Sequence, residues 1–181
     1  MTNRGGNNLD YSDGFQKEAE GFIKYEVLLK RLLTASNIEL LTRGMLDKEC
    51  GVDAIARIQK QHYFISLRFR KTHRDYNSFT LSRYIKDNSS ELKKWLTNKV
   101  RPDFFIQISE TNKGTRVIEV NVDSFNLFVK KLIKDNTLES YYNQALMAYE
   151  FSLKDFKQAE HGIRNILLST DDMEAYLINK L

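Results

Sequence analysis

The segment from Cys50 to Lys71, CGVDAIARIQKQHYFISLRFRK, most constrains what this chain can fold into. Val52 to Ile58 alternates loosely and is rich in β-branched residues, and His62 to Phe69 alternates more strictly. Two such runs on either side of a short turn predict a β-hairpin. Because side chains alternate along a strand, the second arm has an apolar face and a more polar face. The apolar face carries Tyr63, Ile65, Leu67 and Phe69, and the other carries Phe64, Ser66, Arg68 and Arg70.

The region around this hairpin is basic. Residues 51–101 contain 12 Lys/Arg and 4 Asp/Glu, whereas the whole chain of 181 residues has a net charge of +4. A basic centre between mildly acidic flanks is typical of a surface that binds a polyanion, and lysines that merely solvate the surface are the alternative. The candidate nucleic-acid contacts are Arg70, Lys71, Arg74, Lys93 and Lys94, with Tyr76 in the same polar loop as Arg74.

The cysteine content and the hydropathy pattern indicate the compartment. The chain has one Cys, which excludes an internal disulfide framework, so a reducing cytoplasm is the expected location. The N-terminal residues lack the apolar run of a signal peptide, and no stretch approaches 18 apolar residues. We therefore expect a cytoplasmic protein with no membrane segment.

The pattern of the chain divides it into three segments. Residues 1–11 are rich in Asn and Gly and are expected to be disordered. Residues 12–134 predict a helix, the hairpin, a polar loop, a helix, two strands and a helix, which is an α/β (α+β) core with a mixed central sheet flanked by helices. Residues 135–181 predict a helical C-terminal extension through which a homodimer could form, with Tyr141 and Tyr142 as contacts.

This order of elements and the segment GVDAIARIQKQHYFISLRFRK resemble the PD-(D/E)XK nuclease superfamily, which has the restriction-endonuclease-like fold. In that family a Gly-x-Asp segment opens one strand, and a Glu/Gln-x-Lys motif follows on an apolar strand about a dozen residues later. Asp53 matches the first motif, and Ser66 and Arg68 stand at the Glu/Gln and Lys positions. The resemblance covers roughly residues 12–134.

The resemblance implies a metal-dependent nuclease that acts on phosphodiester bonds of DNA, in preference to RNA. Asp53, Ser66 and Arg68 would be the catalytic residues, and Asp53 and Glu26 would hold Mg²⁺. Glu18 and Glu119 are the alternatives for the second carboxylate.

The two departures from the motif leave the activity open. Mg²⁺ prefers carboxylate oxygens, whereas Ser66 offers only a hydroxyl group, and Arg68 keeps its proton and cannot act as a base. One alternative is a catalytically inactive nuclease-like module that binds nucleic acid or a protein partner. Another is a small α/β interaction protein in which the resemblance is accidental.

Overall fold

The computed structural model describes residues 10–41, 46–72, 74–82, 90–154 and 158–178. Most of the predicted disordered tail, residues 1–9, lies outside these ranges. The described helices are Asp10–Leu32 (α1), Glu91–Thr97 (α2), Val122–Lys134 (α3) and Thr170–Ile178 (α4). The described strands are Asn37–Leu40 (β1), Ala54–Ile58 (β2), Gln61–Lys71 (β3), Ser78–Ser82 (β4), Phe104–Thr111 (β5), Gly114–Asn121 (β6), Tyr142–Asn143 (β7), Ala148–Ser152 (β8) and Ile163–Leu168 (β9). Short turns of other helix types occur at Leu46–Cys50, Leu138–Tyr141 and Gln158–His161.

Six strands form the main sheet in the order β1-β2-β3-β5-β6-β9. The predicted hairpin is confirmed as β2 and β3, which are antiparallel with Ala54 opposite Ile65. Strands β3 and β5 are parallel, and each other pair of neighbours in this sheet is antiparallel. The prediction of a mixed central sheet in an α+β arrangement is therefore confirmed.

Helix α1 covers the apolar face of the hairpin. Its buried residues recur at helical spacing, so they form one stripe that packs on the sheet. These residues are Phe22, Tyr25, Leu28, Leu29 and Leu32. They pack with Ile65 and Leu67 of β3, as the alternation of β3 predicts. Gly21 lets the helix approach the sheet closely, because a Cβ atom at this position would overlap the ring of Phe69.

The second face of the main sheet is covered by α2, α3 and a smaller sheet. The smaller sheet has the order β4-β8-β7 and is antiparallel. A second apolar core lies between the layers and is rich in aromatic residues. Its largest fully buried members are Phe79, Trp95, Phe105, Phe125 and Phe151. The main sheet thus separates two cores, and a side chain on β2 or β3 faces either α1 or the smaller sheet.

The prediction of a helical C-terminal extension is wrong for residues 142–168, where the chain forms β7, β8 and β9. Tyr149, Phe151 and Leu153 are buried, so the apolar residues here recur with the period of a strand. Gly162 has a φ of 67°, which a glycine tolerates and which turns the chain into β9. Because β9 pairs with β6, this segment completes the main sheet instead of forming an appendix.

The predicted homodimer contact depended on a C-terminal segment that is helical throughout. Only α4 supplies an α-helix in the described part of residues 135–181. Tyr141 stacks on Phe151 with ring centroids 5.2 Å apart, and Tyr142 packs edge-on against Tyr149. Both tyrosines are half-buried by these contacts within the chain. The homodimer itself stays a prediction.

Among the helices in the described ranges, none combines the length and the apolar character needed to span a membrane.

Candidate functional site

The structure brings Asp53 and Ser66 together. Asp53 directly precedes β2, and its backbone N–H donates to the carbonyl of Ile65 at 2.8 Å. Its side-chain Oδ2 accepts from the hydroxyl of Ser66 at 3.1 Å and from the backbone N–H of Leu67 at 2.6 Å. The carboxylate therefore supplies the acceptor for a backbone N–H of β3, where the pairing with β2 ends. Asp53 therefore has a structural role.

Arg68 connects three elements on the second face of the sheet. Its Nη1 donates to the carbonyl of Thr80 on β4, and its Nη2 lies 2.8 Å from Oε2 of Glu91, the first residue of α2. The guanidinium group also lies 5.3 Å from the ring centroid of Phe105 on β5. A planar guanidinium group can make these three contacts at once, whereas an ammonium group cannot both fork and stack. The geometry gives Arg68 a structural role that a lysine could not fully replace.

Arg70, expected as a nucleic-acid contact, is half-buried and bound within the chain. Its Nη2 donates to Oγ1 of Thr80 at 2.7 Å, and burial together with the neighbouring charge of Arg68 lowers its pKa. Gln107 donates to the carbonyl of Ser78 at 3.3 Å. Arg68 and Gln107 thus satisfy two backbone carbonyls of β4, and Arg70 binds the side chain of Thr80 on the same strand.

The carboxylates proposed as metal ligands do not meet. Asp53 pairs with Ser66, which lies between two residues of β3 that pack against α1, so it faces away from that helix. Glu26 lies on α1 across the sheet and accepts from Lys30 at 2.6 Å. Glu119 lies on β6, with β3 and β5 between it and β2, and pairs with Arg164. At about 4.8 Å per strand this separation is about 14 Å.

These residues do not fit a magnesium ion. Asp53 accepts from the neutral hydroxyl group of Ser66 and from a backbone N–H, and the carboxylate of Glu91 is bound by Arg68. Within the described ranges no group of three or more His, Cys, Asp or Glu side chains is placed to hold a metal. The side chain of Glu18 is outside the described part of the chain. We therefore derive no chemical step through a metal.

The other predicted nucleic-acid contacts fall into two groups. Lys71 and Arg74 are exposed at the carboxyl end of β3. Lys93 is exposed and Lys94 half-buried on α2, whose first residue meets β3 at Arg68. Lys71 and Arg74 lie near further exposed cations that were not among the predicted contacts.

We call this region the strand-end surface, because it lies where β3 and β5 end and β6 begins. It consists of Lys24, Lys71, Arg74, Tyr76 and Lys113. All five side chains are exposed, and Tyr76 retains 55% of its accessible area. Lys113, in the turn after β5, could have been found if the parallel pairing of β3 and β5 had been predicted, because the carboxyl ends of parallel strands meet at one edge. Lys24 could not, because its place depends on how α1 packs on the sheet.

The loop that carries Arg74 and Tyr76 is tied to the main sheet. The backbone N–H of Thr72 donates to the carbonyl of Glu110 at 2.9 Å. Asp75 receives two bonds from Arg116 on β6, at 2.5 and 2.7 Å. Asn77 accepts from Asn165 on β9 at 3.1 Å. Because Asp75 and Asn77 are bound to the main sheet, the intervening Tyr76 points outward. These contacts hold this part of the loop in place.

An open cleft of about 390 Å³ lies beside the strand-end surface, between α1 and the ends of β3 and β5. Its walls include Lys24, Tyr25, Phe69, Lys71, Ile108 and Glu110. Oε1 of Glu110 accepts from the hydroxyl of Tyr25 at 2.7 Å and from the ammonium of Lys24 at 2.5 Å.

The electrostatics of the cleft follow from these bonds. The hydrogen bond from Lys24 lowers the pKa of Glu110, so this carboxylate is ionised at neutral pH. Burial raises the pKa of Tyr25, so its hydroxyl keeps its proton and remains a donor. The cleft therefore combines an apolar wall, an ionised acceptor and two exposed ammonium groups, and such a combination suits a ligand that is both flat and anionic.

Comparison of the chain with protein-family models, with curated protein sequences and with solved structures finds no match.

Proposed function

We propose that this protein is a nucleic-acid-binding module with a restriction-endonuclease-like core that does not cleave its ligand. The observation that carries the proposal is the position of Arg68. The one cation at the motif's lysine position is bound to Thr80, Glu91 and Phe105, so it is not available to a phosphate group. Asp53 is similarly used to hold the backbone of β3.

The order of the elements supports the nuclease-like core. Helix α1, the β2–β3 hairpin, α2, β5, β6 and α3 follow one another as the resemblance requires. The acid of the first motif lies opposite the first residue of the second motif, since Asp53 and Ser66 are hydrogen-bonded. A core of this kind can serve many functions, so the proposal for the ligand depends on the surface.

The strand-end surface supports a polyanionic ligand. Its four cations are exposed; one of them, Lys24, is paired with the carboxylate of Glu110, and the carboxylate of Asp75 at the same end is paired with Arg116. Glu20 also lines the cleft and adds a negative charge, but the net charge of this region remains positive. Exposed Lys and Arg side chains bind phosphates largely without regard to base sequence. We propose DNA as the ligand in preference to RNA.

The test of binding is a double charge reversal, Lys71→Glu with Arg74→Glu. We expect the affinity for a 20-nucleotide DNA in low salt to fall by about tenfold or more, and the slope of log K against log salt to become less steep by about 0.7 per lost phosphate contact. Fluorescence anisotropy across a salt series measures both quantities.

The matched control reverses the same charges at the opposite end of the hairpin. Arg57 and Lys60 are both exposed there, so Arg57→Glu with Lys60→Glu changes the net charge by the same amount. If the two double variants lose the same affinity, the binding reflects net charge alone and the strand-end surface is not the site.

The absence of cleavage is tested with Asp53→Asn, which keeps an acceptor for Leu67. We expect neither the wild type nor this variant to bind Mg²⁺ in calorimetric titrations, and neither to cut a DNA plasmid in Mg²⁺ or Mn²⁺, because no group of three or more His, Cys, Asp or Glu side chains within the described ranges is placed to hold a metal. Metal binding that is lost in the variant, with cleavage by the wild type alone, would restore the nuclease hypothesis.

A further inference from the structure

We propose that the cleft between α1 and the ends of β3 and β5 accepts one unpaired base of a single-stranded nucleic acid. This inference rests on the proposed function, since it assigns the ligand class and the orientation of the ligand at the same surface.

The cleft offers one partly exposed aromatic ring, that of Phe69, which is half-buried. Tyr25 stacks on this ring with centroids 6.0 Å apart, and Tyr25 and Ile108 are almost fully buried. The two stacked rings leave no room for a third ring between them, so a base would lie against Phe69. A volume of about 390 Å³ lies at the lower end of the usual range for small-ligand sites. A base within a duplex is stacked and paired, whereas an unpaired base can turn outward and stack on a protein side chain. The cleft therefore favours a single strand over a duplex.

Glu110 provides an acceptor for the edge of the base. Lys24 and Tyr25 both donate to Oε1, so Oε2 has no protein donor within the described ranges. An ionised carboxylate accepts from the exocyclic amino group of cytosine or adenine. Thymine presents carbonyl oxygens where these bases present an amino group, and those oxygens would face the carboxylate. We therefore expect cytosine to bind more tightly than thymine.

The rim supplies the contacts for the backbone. Lys24 donates to Glu110 and its side chain is 59% exposed, and the exposed Lys71 lies opposite Glu110 across the pairing of β3 with β5. Arg74 and Lys113 are further exposed cations of the strand-end surface, and Tyr76 is an exposed ring next to Arg74 in sequence. Phosphates that flank an inserted base would meet these cations. Non-specific single-strand sites combine such cations with aromatic rings.

The test locates the base directly. A 12-nucleotide oligo-dC with one central 5-iodocytosine is irradiated with the wild-type protein, and the crosslinked residue is identified by mass spectrometry. We expect crosslinks to Tyr25 or Phe69, competed by unlabelled oligo-dC but only weakly by a duplex of the same length. We also expect oligo-dC to bind about tenfold more tightly than oligo-dT, since one hydrogen bond to a charged group contributes this much.

A matched variant tests the role of the carboxylate. Glu110→Gln keeps the shape of the side chain and is expected to reduce the ratio of oligo-dC affinity to oligo-dT affinity from about tenfold to about twofold or less; a ratio that stays at about tenfold overturns the role of the carboxylate. A thermal melt shows whether the variant is folded, and the crosslink on wild-type protein does not depend on it.

The outcomes separate this inference from the proposed function. One result would overturn the base site alone: crosslinks that lie outside the cleft, together with equal affinities for single strand and duplex. If those affinities still fall in the Lys71→Glu/Arg74→Glu variant, the proposed nucleic-acid-binding function stands. If neither oligonucleotide binds in low salt, both proposals are overturned.

Discussion

Replacement of Asp75 by alanine is expected to lower the free energy of unfolding by about 3–5 kcal/mol, the usual effect of removing one partner from a buried ion pair. The Asp75 and Arg116 side chains are only 9% and 10% exposed, and Arg116 donates to both carboxylate oxygens. Without Asp75, the guanidinium group keeps only the bond to Oδ1 of Asn165 at 2.7 Å. The charge would then lie between the two sheets without a counter-ion. Urea denaturation followed by circular dichroism measures the loss.

The control for this prediction is the same substitution in an exposed pair. Arg101 donates to Asp123 at 2.6 Å, but the Asp123 side chain is 69% exposed, so Asp123→Ala should cost about 1 kcal/mol or less. Equal losses in the two variants would show that Asp75 does not anchor the loop.

The same ion pair predicts how stability changes at acid pH. The hydrogen bond from Arg116 lowers the pKa of Asp75 below its ordinary value of 3.8. A group whose pKa is lowered on folding stabilises the folded state above its unfolded pKa, and this contribution is lost as the pH falls through the folded pKa. The free energy of unfolding of the wild type should therefore exceed that of Asp75→Asn by the largest amount at pH 7, and this difference should shrink below about pH 4. A difference that does not change between pH 7 and pH 2.5 would contradict this assignment.

Replacement of Arg68 by alanine should have the second-largest effect, a loss of about 2–4 kcal/mol. The substitution removes the donor from the Thr80 carbonyl and leaves Glu91, whose side chain is 14% exposed, without its cation. We discount the value for a fully buried pair because 25% of the Arg68 side chain is exposed.

A conservative variant separates charge from shape at this position. Arg68→Lys keeps the charge but loses the fork and the stacking on Phe105, so it should recover only part of the loss. Arg101→Ala, which breaks the exposed pair, is the control and should cost about 1 kcal/mol or less. If Arg68→Lys is as stable as the wild type and gains Mg²⁺-dependent cleavage, Arg68 is an altered catalytic residue and not a structural one.

The elements with a strong local period could be predicted from the sequence. The β2–β3 hairpin and its two faces follow from alternation alone, and the positions of α1, α2, β5, β6 and α3 follow from local patterns that tertiary packing then satisfies. The helical prediction for the C-terminal segment was wrong at β8 because Leu146, Tyr149 and Leu153 fit a helical spacing, whereas Tyr149, Phe151 and Leu153 fit a strand spacing. The pairing partner of the strand decides between these two spacings, and β4, the partner of β8, lies far earlier in the sequence.

The candidate site could be predicted only in part. The closeness of Asp53 and Ser66 agrees with the hairpin register, since Ala54 lies opposite Ile65 and Asp53 and Ser66 are the next residues beyond this pair. The engagement of Arg68 and Arg70 with β4 could not be predicted, because it depends on the smaller sheet packing over the main one. The same is true of Glu110, whose partners lie on α1, more than 80 positions earlier in the chain.

The place of β9 has a consequence for how the protein is made. Strand β6 pairs with β9 from Val120 opposite Ile163 to Thr115 opposite Leu168, and the intervening chain includes α3 and the whole of β7 and β8. During synthesis the edge of β6 therefore stays unpaired until residue 168 has emerged. An unpaired sheet edge can bind an edge of another chain, so newly made copies are most prone to aggregate in this interval. Contacts this distant in sequence also slow folding, which lengthens the interval.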